Sequence, residues 1–173
     1  MNAEAAIRSM TQFPAILSAL VEGLSGQAWR RKPDSGKWSI LEIVCHLRDE
    51  EREDFRLRLQ LTVTEPGTPW PPIDPVAAAV ERKYNQQDPQ TVLDDFLHER
   101  RDSLTWLHGR ANIDWNITCE HAKLGVFHAG DLLAAWAAHD LLHMRQITRR
   151  LYESLAASSH PYKTGYAGDW AES

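Results

Sequence analysis

Apolar residues recur at intervals of three and four in four long stretches of this chain, and nowhere do they alternate with period two over the length of a strand. That pattern buries one stripe per helix and is the signature of amphipathic helices packed on one another. The first stretch, residues 3–24, carries Ile7, Met10, Phe13, Leu17, Leu20 and Leu24 and is closed by Gly23 and Gly26, with Pro14 predicting a kink or a late start. Residues 25–37 read as a loop of Arg, Lys, Pro, Asp and Gly. Ser39-Ile-Leu-Glu42 is a capping box, because a Ser hydroxyl and a Glu three residues on can each accept from an unpaired N–H of the first turn, so a second helix should run from Ser39 to about Leu61.

Five prolines between 64 and 75 exclude regular helix there, and Asp74-Pro75 caps a short helix expected to reach about Tyr84. Asp88-Pro89 opens a third long helix through Val92, Phe96, Leu104 and Leu107, ended by Gly109. Residues 110–128 are irregular, with room for a small strand pair, and a fourth helix runs from about Ala129 to Leu155. The tail holds two Tyr and a Trp and is expected to pack on the rest. The pattern predicts one all-α domain over residues 1–173, a four-helix bundle whose long crossover loops argue against a simple hairpin bundle.

The net charge of −5 and the lack of a basic, aromatic-interleaved cluster disfavour nucleic acid as a partner. Two cysteines, Cys45 and Cys119, without CxxC spacing, give neither a disulfide framework nor a zinc ribbon and suit a reducing cytoplasm. Cys45 reads as a buried structural thiol. No apolar leader and no run of membrane-spanning length appear, so a cytoplasmic protein without a membrane partner is expected.

Three histidines stand on two of the predicted helices. His139 and His143 lie four apart on the stripe of the last helix, with Trp136 and Gln146 near the same azimuth, and His46 lies on the second. The pair alone is close to chance, since eight histidines in 173 residues give about 0.4 such pairs. Specificity comes from His46, whose helix also carries Glu42, Asp49, Glu50 and Glu53, carboxylates able to orient a ligand or take a proton. The competing reading is a solvated acidic face.

Gly36-Lys-Trp-Ser-Ile-Leu-Glu-Ile-Val-Cys-His-Leu-Arg-Asp-Glu-Glu, followed about 90 residues later by Ala138-His-Asp-Leu-Leu-His-Met-Arg-Gln-Ile, resembles the DinB-like superfamily of metalloenzymes. Pro72-Ile-Asp-Pro, Gly125-Val-Phe and Gly168-Asp-Trp add to the likeness. The resemblance implies a bundle of unusual connectivity, a divalent metal on His46, His139 and His143 with open positions, and frequent homodimers. It further implies small-molecule substrates, transformed through a metal-activated low-molecular-weight thiol or water. Where relatives often have Thr or Ser at the start of the last helix, this chain has His128, read as an imperfect cap or a surface side chain.

The leading expectation is an enzyme of thiol S-transferase, isomerase or hydrolase type. It uses zinc first, with nickel, iron or manganese also compatible with three imidazoles. Glu42, Asp49 or Glu50 would serve as proton acceptor or orienting group, while Trp136 and His121 would line the pocket. The alternative is a non-enzymatic bundle in which a structural metal ties two helices, with a stress-linked partner. His139-Asp-Leu-Leu-His143 is one residue from the HExxH protease motif, but its acid is a methylene short. Di-iron spacing is absent.

Overall fold

Every long helix starts on a hydrogen bond that the sequence spells out. The computed structural model describes residues 2–110, 112–121, 125–168 and 170. Asn2 Oδ1 accepts from the Ala5 N–H at the head of α1 (Ala3–Val21). Ser39 and Glu42 exchange both capping-box bonds at the head of α3 (Ile40–Asp49). Asp88 accepts from the Thr91 N–H to start α6 (Pro89–His108). At α7 (Ala129–Ser158) the Asp131 carboxylate takes the His128 N–H at 2.8 Å and its imidazole Nδ1 at 3.0 Å, so His128 is a half-exposed part of the cap.

Three expectations are corrected. The stretch 25–37 is not all loop: Ser25 caps a short helix, α2 (Gly26–Arg30), held down by burial of Trp29. The second long helix passes through a six-residue π-helical segment, Glu50–Phe55, before continuing as α4 (Arg56–Thr64). A π turn accommodates an extra residue and rotates the helix beyond it, so side chains that α geometry would send to solvent turn inward. In the tail, Tyr162 and Tyr166 are exposed, and Trp170 alone of the three aromatics is seen packed, its ring 5.5 Å from that of Tyr152. Asp169 of the Gly168-Asp-Trp string lies outside the described residues.

The α5 helix (Pro75–Glu81) stops short of Tyr84 because Lys83 adopts a left-handed φ of 50°. Tyr84 instead enters a 3-10 turn and is buried. The strand pair allowed for in 110–128 is an antiparallel hairpin of β1 (Thr118–His121) and β2 (Gly125–His128). Pro14 does not delay α1. It has no N–H for the Met10 carbonyl, and the Arg100 guanidinium supplies that donor at 3.0 Å.

Both α1 and α3 pack on α6 and α7, so α1 sits across the bundle from α3 and α6 across from α7, which accounts for the long connections between those pairs. One apolar cluster joins Phe13, Leu17, Ile40, Leu47, Phe96 and Ile147, with Phe13 and Phe96 edge to face at 5.9 Å. A second joins Met10, Leu59, Leu107, Leu133 and Trp136. Each fully buried side chain of this size contributes about 1.5–3 kcal/mol. Among the described residues no helix is long and apolar enough to cross a membrane.

Candidate metal centre

α3 and α7 meet where His46 faces His139 and His143. The Nε2 atoms of His46 and His139 are 3.2 Å apart and those of His139 and His143 2.9 Å. One nitrogen from each ring lies within 4.8 Å of the others. Two nitrogens bound at about 2.0–2.1 Å to one ion stand about 2.9–3.4 Å apart for octahedral to tetrahedral angles, so the spacing fits a common ion. His46 and His143 are buried, while His139 is half-buried.

The outer nitrogens explain why the inner ones converge as lone pairs. His143 Nδ1 lies 3.0 Å from Gln146 Oε1, an acceptor that puts the ring proton on Nδ1. His46 Nδ1 lies 3.5 Å from Glu50 Oε1. Neutral rings that converge this closely can offer their lone pairs to one shared cation. Burial keeps all three rings neutral: His46 is lowered to about 3 by desolvation and then by His143, and His139 to about 2 by desolvation and both neighbouring rings. His143 falls to about 4 through desolvation, against the pull of Gln146. Neutral imidazole is the form that binds a metal. The Trp38 ring packs 4.9 Å from His46 and Phe55 packs 5.0 Å from His139, fixing both rings.

The acids of the second helix separate by role. Glu42 is occupied by the Ser39 N–H and by Lys32, each at 2.8 Å. Asp49 accepts from Tyr84 Oη at 2.5 Å, Arg48 Nε at 2.8 Å and Arg82. Burial would raise its carboxyl, but those bonds outweigh it and hold it below the ordinary range. Glu50 is the acid brought to the histidines, and burial, then the Asp54 carboxyl beside it, pushes it up to about 9, so it holds a proton at neutral pH. Trp136 is buried with its ring stacked on Phe55 at 5.8 Å. His121 sits on the hairpin against Trp70 and Phe127. Cys45 is fully buried and raised to about 12 by desolvation.

Sequence reasoning gave no role to Glu51 or Arg100. Arg100 is 1% exposed and forms a two-pronged bond to Asp140, at 2.6 and 2.8 Å, and an ion pair with Glu51. Ser103 Oγ and Trp136 Nε1 donate to the same Glu51 carboxylate at 2.7 and 2.9 Å. A signal was present: Arg100 and Ser103 interrupt the apolar stripe of α6 between Phe96 and Leu107.

The sequence model of the DinB superfamily matches residues 9–147. A protein of Oceanobacillus iheyensis named "Putative metal-dependent hydrolase OB0782" is 27% identical over 143 residues, covering 82% of this chain and 81% of the relative. The solved structure of YfiT from Bacillus subtilis, described as "a probable metal-dependent hydrolase with an unusual four-helix bundle topology", superposes with a TM-score of 0.71. It is 20% identical, and the match covers 86% of this chain and 87% of that one. At that identity the likeness is one of fold.

Proposed function

The chain belongs to the DinB superfamily, and from that premise we propose that it is a metal-dependent enzyme, a hydrolase acting on small molecules. His46, His139 and His143 would hold a divalent ion, for which zinc suits the three neutral nitrogens well. The single observation that carries this reading is the convergence of three imidazole nitrogens, with the outer nitrogens of His143 and His46 turned toward Gln146 and Glu50. The name of the similar protein from Oceanobacillus iheyensis supports hydrolysis as the reaction class.

When bound, such an ion supplies Lewis-acid chemistry, lowering the pKa of water and polarising a carbonyl or phosphoryl oxygen. The chain does the rest. Gln146 fixes the tautomer of His143. Glu50 sets an oxygen 3.5 Å from His46 Nδ1, which makes it a positioning residue. Trp38 and Phe55 exclude water from the sides of the histidine rings. His139 is the least buried of the three rings.

The reading is tested on zinc-loaded protein assayed against a panel of small esters, amides and lactones, with and without an added low-molecular-weight thiol. Hydrolysis independent of thiol, abolished in His143→Ala with the melting temperature nearly kept, is the expected result. Turnover that requires the thiol would replace hydrolysis with thiol transfer. Unfolding of His143→Ala on metal loss would assign the ion a structural role.

A further inference from the structure

A cavity of about 520 Å³ opens beside the histidine cluster, between the approach to α3 and the second half of α7. Lys37, Trp38, Arg145, Arg149, Arg150 and Trp170 line it, and no carboxylate does among the described residues. In a chain of net charge −5 this is a local reversal of sign. The cavity adjoins the proposed metal site through two shared residues: Gln146, on its wall, holds His143 Nδ1, and Trp38 packs on the His46 ring.

Arg150 is the informative side chain. It is 8% exposed, and Nη2 donates to Glu153 at 3.1 Å. Its Nε and Nη1 are buried with no hydrogen-bond partner among the described residues. The same Glu153 oxygen also accepts from Arg149 Nε at 3.1 Å, so one carboxylate serves both guanidinium groups. Four cations therefore surround the cavity with one carboxylate between two of them. Clustered cations with no carboxylate in the cavity lining repel one another, and an oxyanion is the ligand that offsets this repulsion.

We infer that this cavity binds the oxyanion end, carboxylate or phosphate, of the small molecule whose other end reaches the histidine cluster. The identity of the second end rests on the metal-enzyme reading above; the anion site does not. At 1.5 Å per residue, Arg149 and Arg150 lie about 10 Å along α7 from His143, with Arg145 between, so the molecule is elongated and about that length. The flat faces of Trp38 and Trp170 suit an apolar or unsaturated middle.

The test is calorimetric titration of the full chain, zinc-loaded and again after chelation, with pyrophosphate and with glutarate in a dilute chloride buffer. Saturable binding of either anion is expected in both forms, and the stronger of the two assigns phosphate or carboxylate. Arg150→Gln should weaken it about tenfold or more, with zinc content unchanged. Should that variant fail to fold, Arg145→Gln with Arg149→Gln, both exposed positions, should show the same loss. Absence of saturable binding by both anions, or affinity unchanged in the folded variants, overturns the proposal. Anion binding in a protein that takes up no zinc would overturn the metal reading alone.

Discussion

Two polar clusters share the centre of the bundle, and they differ in what they lack. His139 and Asp140 are neighbours in α7, and Glu50 and Glu51 are neighbours in the π-helical segment, yet each pair splits between the two clusters. On one side Arg100, Glu51, Asp140, Ser103 and Trp136 satisfy one another completely, down to the Met10 carbonyl that Pro14 leaves open. On the other, three neutral imidazoles turn ring nitrogens toward a common point and meet one another there. A closed network holds helices in register, whereas convergent neutral imidazoles define a place for an ion. Burial alone does not separate them; completeness does.

The contrast is broken most forcefully at Arg100. Arg100→Leu leaves Glu51 and Asp140 buried without their cation and should cost about 3–5 kcal/mol in urea unfolding of the metal-free protein, far more than His143→Ala. Equal costs at the two positions would erase the distinction.

Acid acts on the histidines and on Asp140 with opposite signs. Each site histidine is held below its ordinary 6.5 by burial, so the unfolded chain takes the proton first; that stability is full above about pH 6.5 and drains away as pH falls toward the folded values of about 2–4. Asp140 is raised by burial from 3.8 to about 6, against the Arg100 bonds, so its contribution is full below 3.8 and lost as pH rises through 6. Glu50, raised to about 9 beside the histidines, acts with the sign of Asp140, and the three histidines outweigh the two acids. The metal-free protein should lose stability from pH 6.5 to 4, less steeply in His143→Ala and more steeply in Asp140→Asn, as followed by denaturant midpoints.

A smaller effect sharpens the open cluster. Gln146→Leu removes the acceptor that sets the His143 tautomer and should lower zinc affinity about 10–100-fold in competition with a chelator, with the unfolding midpoint nearly unchanged. Smallest is Ser103→Ala, which takes one hydrogen bond from Glu51 and should cost about 1 kcal/mol without altering zinc affinity.

Local signals were readable and nonlocal ones were not. Ser39 with Glu42, Asp74 with Pro75 and Asp88 with Pro89 act within one helical turn, so the caps they predict are where the chain puts them. The i,i+4 pair and His46 were visible as side chains on helical stripes, and the fold brings them together because α3 packs on α7. Under α periodicity Glu42, Asp49, Glu50 and Glu53 could equally be read as a solvated face, and Glu51 carried no signal of its own. The π turn and Arg100, contributed from a helix about 50 residues away, turn Glu51 inward. Asp49 and Glu42 share the stripe with Glu50, and only the positions of Tyr84, Arg82 and Lys32 show that both are occupied elsewhere. The cationic cavity was hidden because Lys37 and the α7 arginines are far apart in sequence.

The central claim is that the three histidines bind one divalent ion. Protein produced without a polyhistidine tag, stripped with chelator and titrated with zinc, should take up one ion per chain by elemental analysis, and His143→Ala should take up none while remaining folded. Wild-type protein that binds no zinc, nickel, iron or manganese, or a folded His143→Ala that binds the same single ion as tightly, would contradict it.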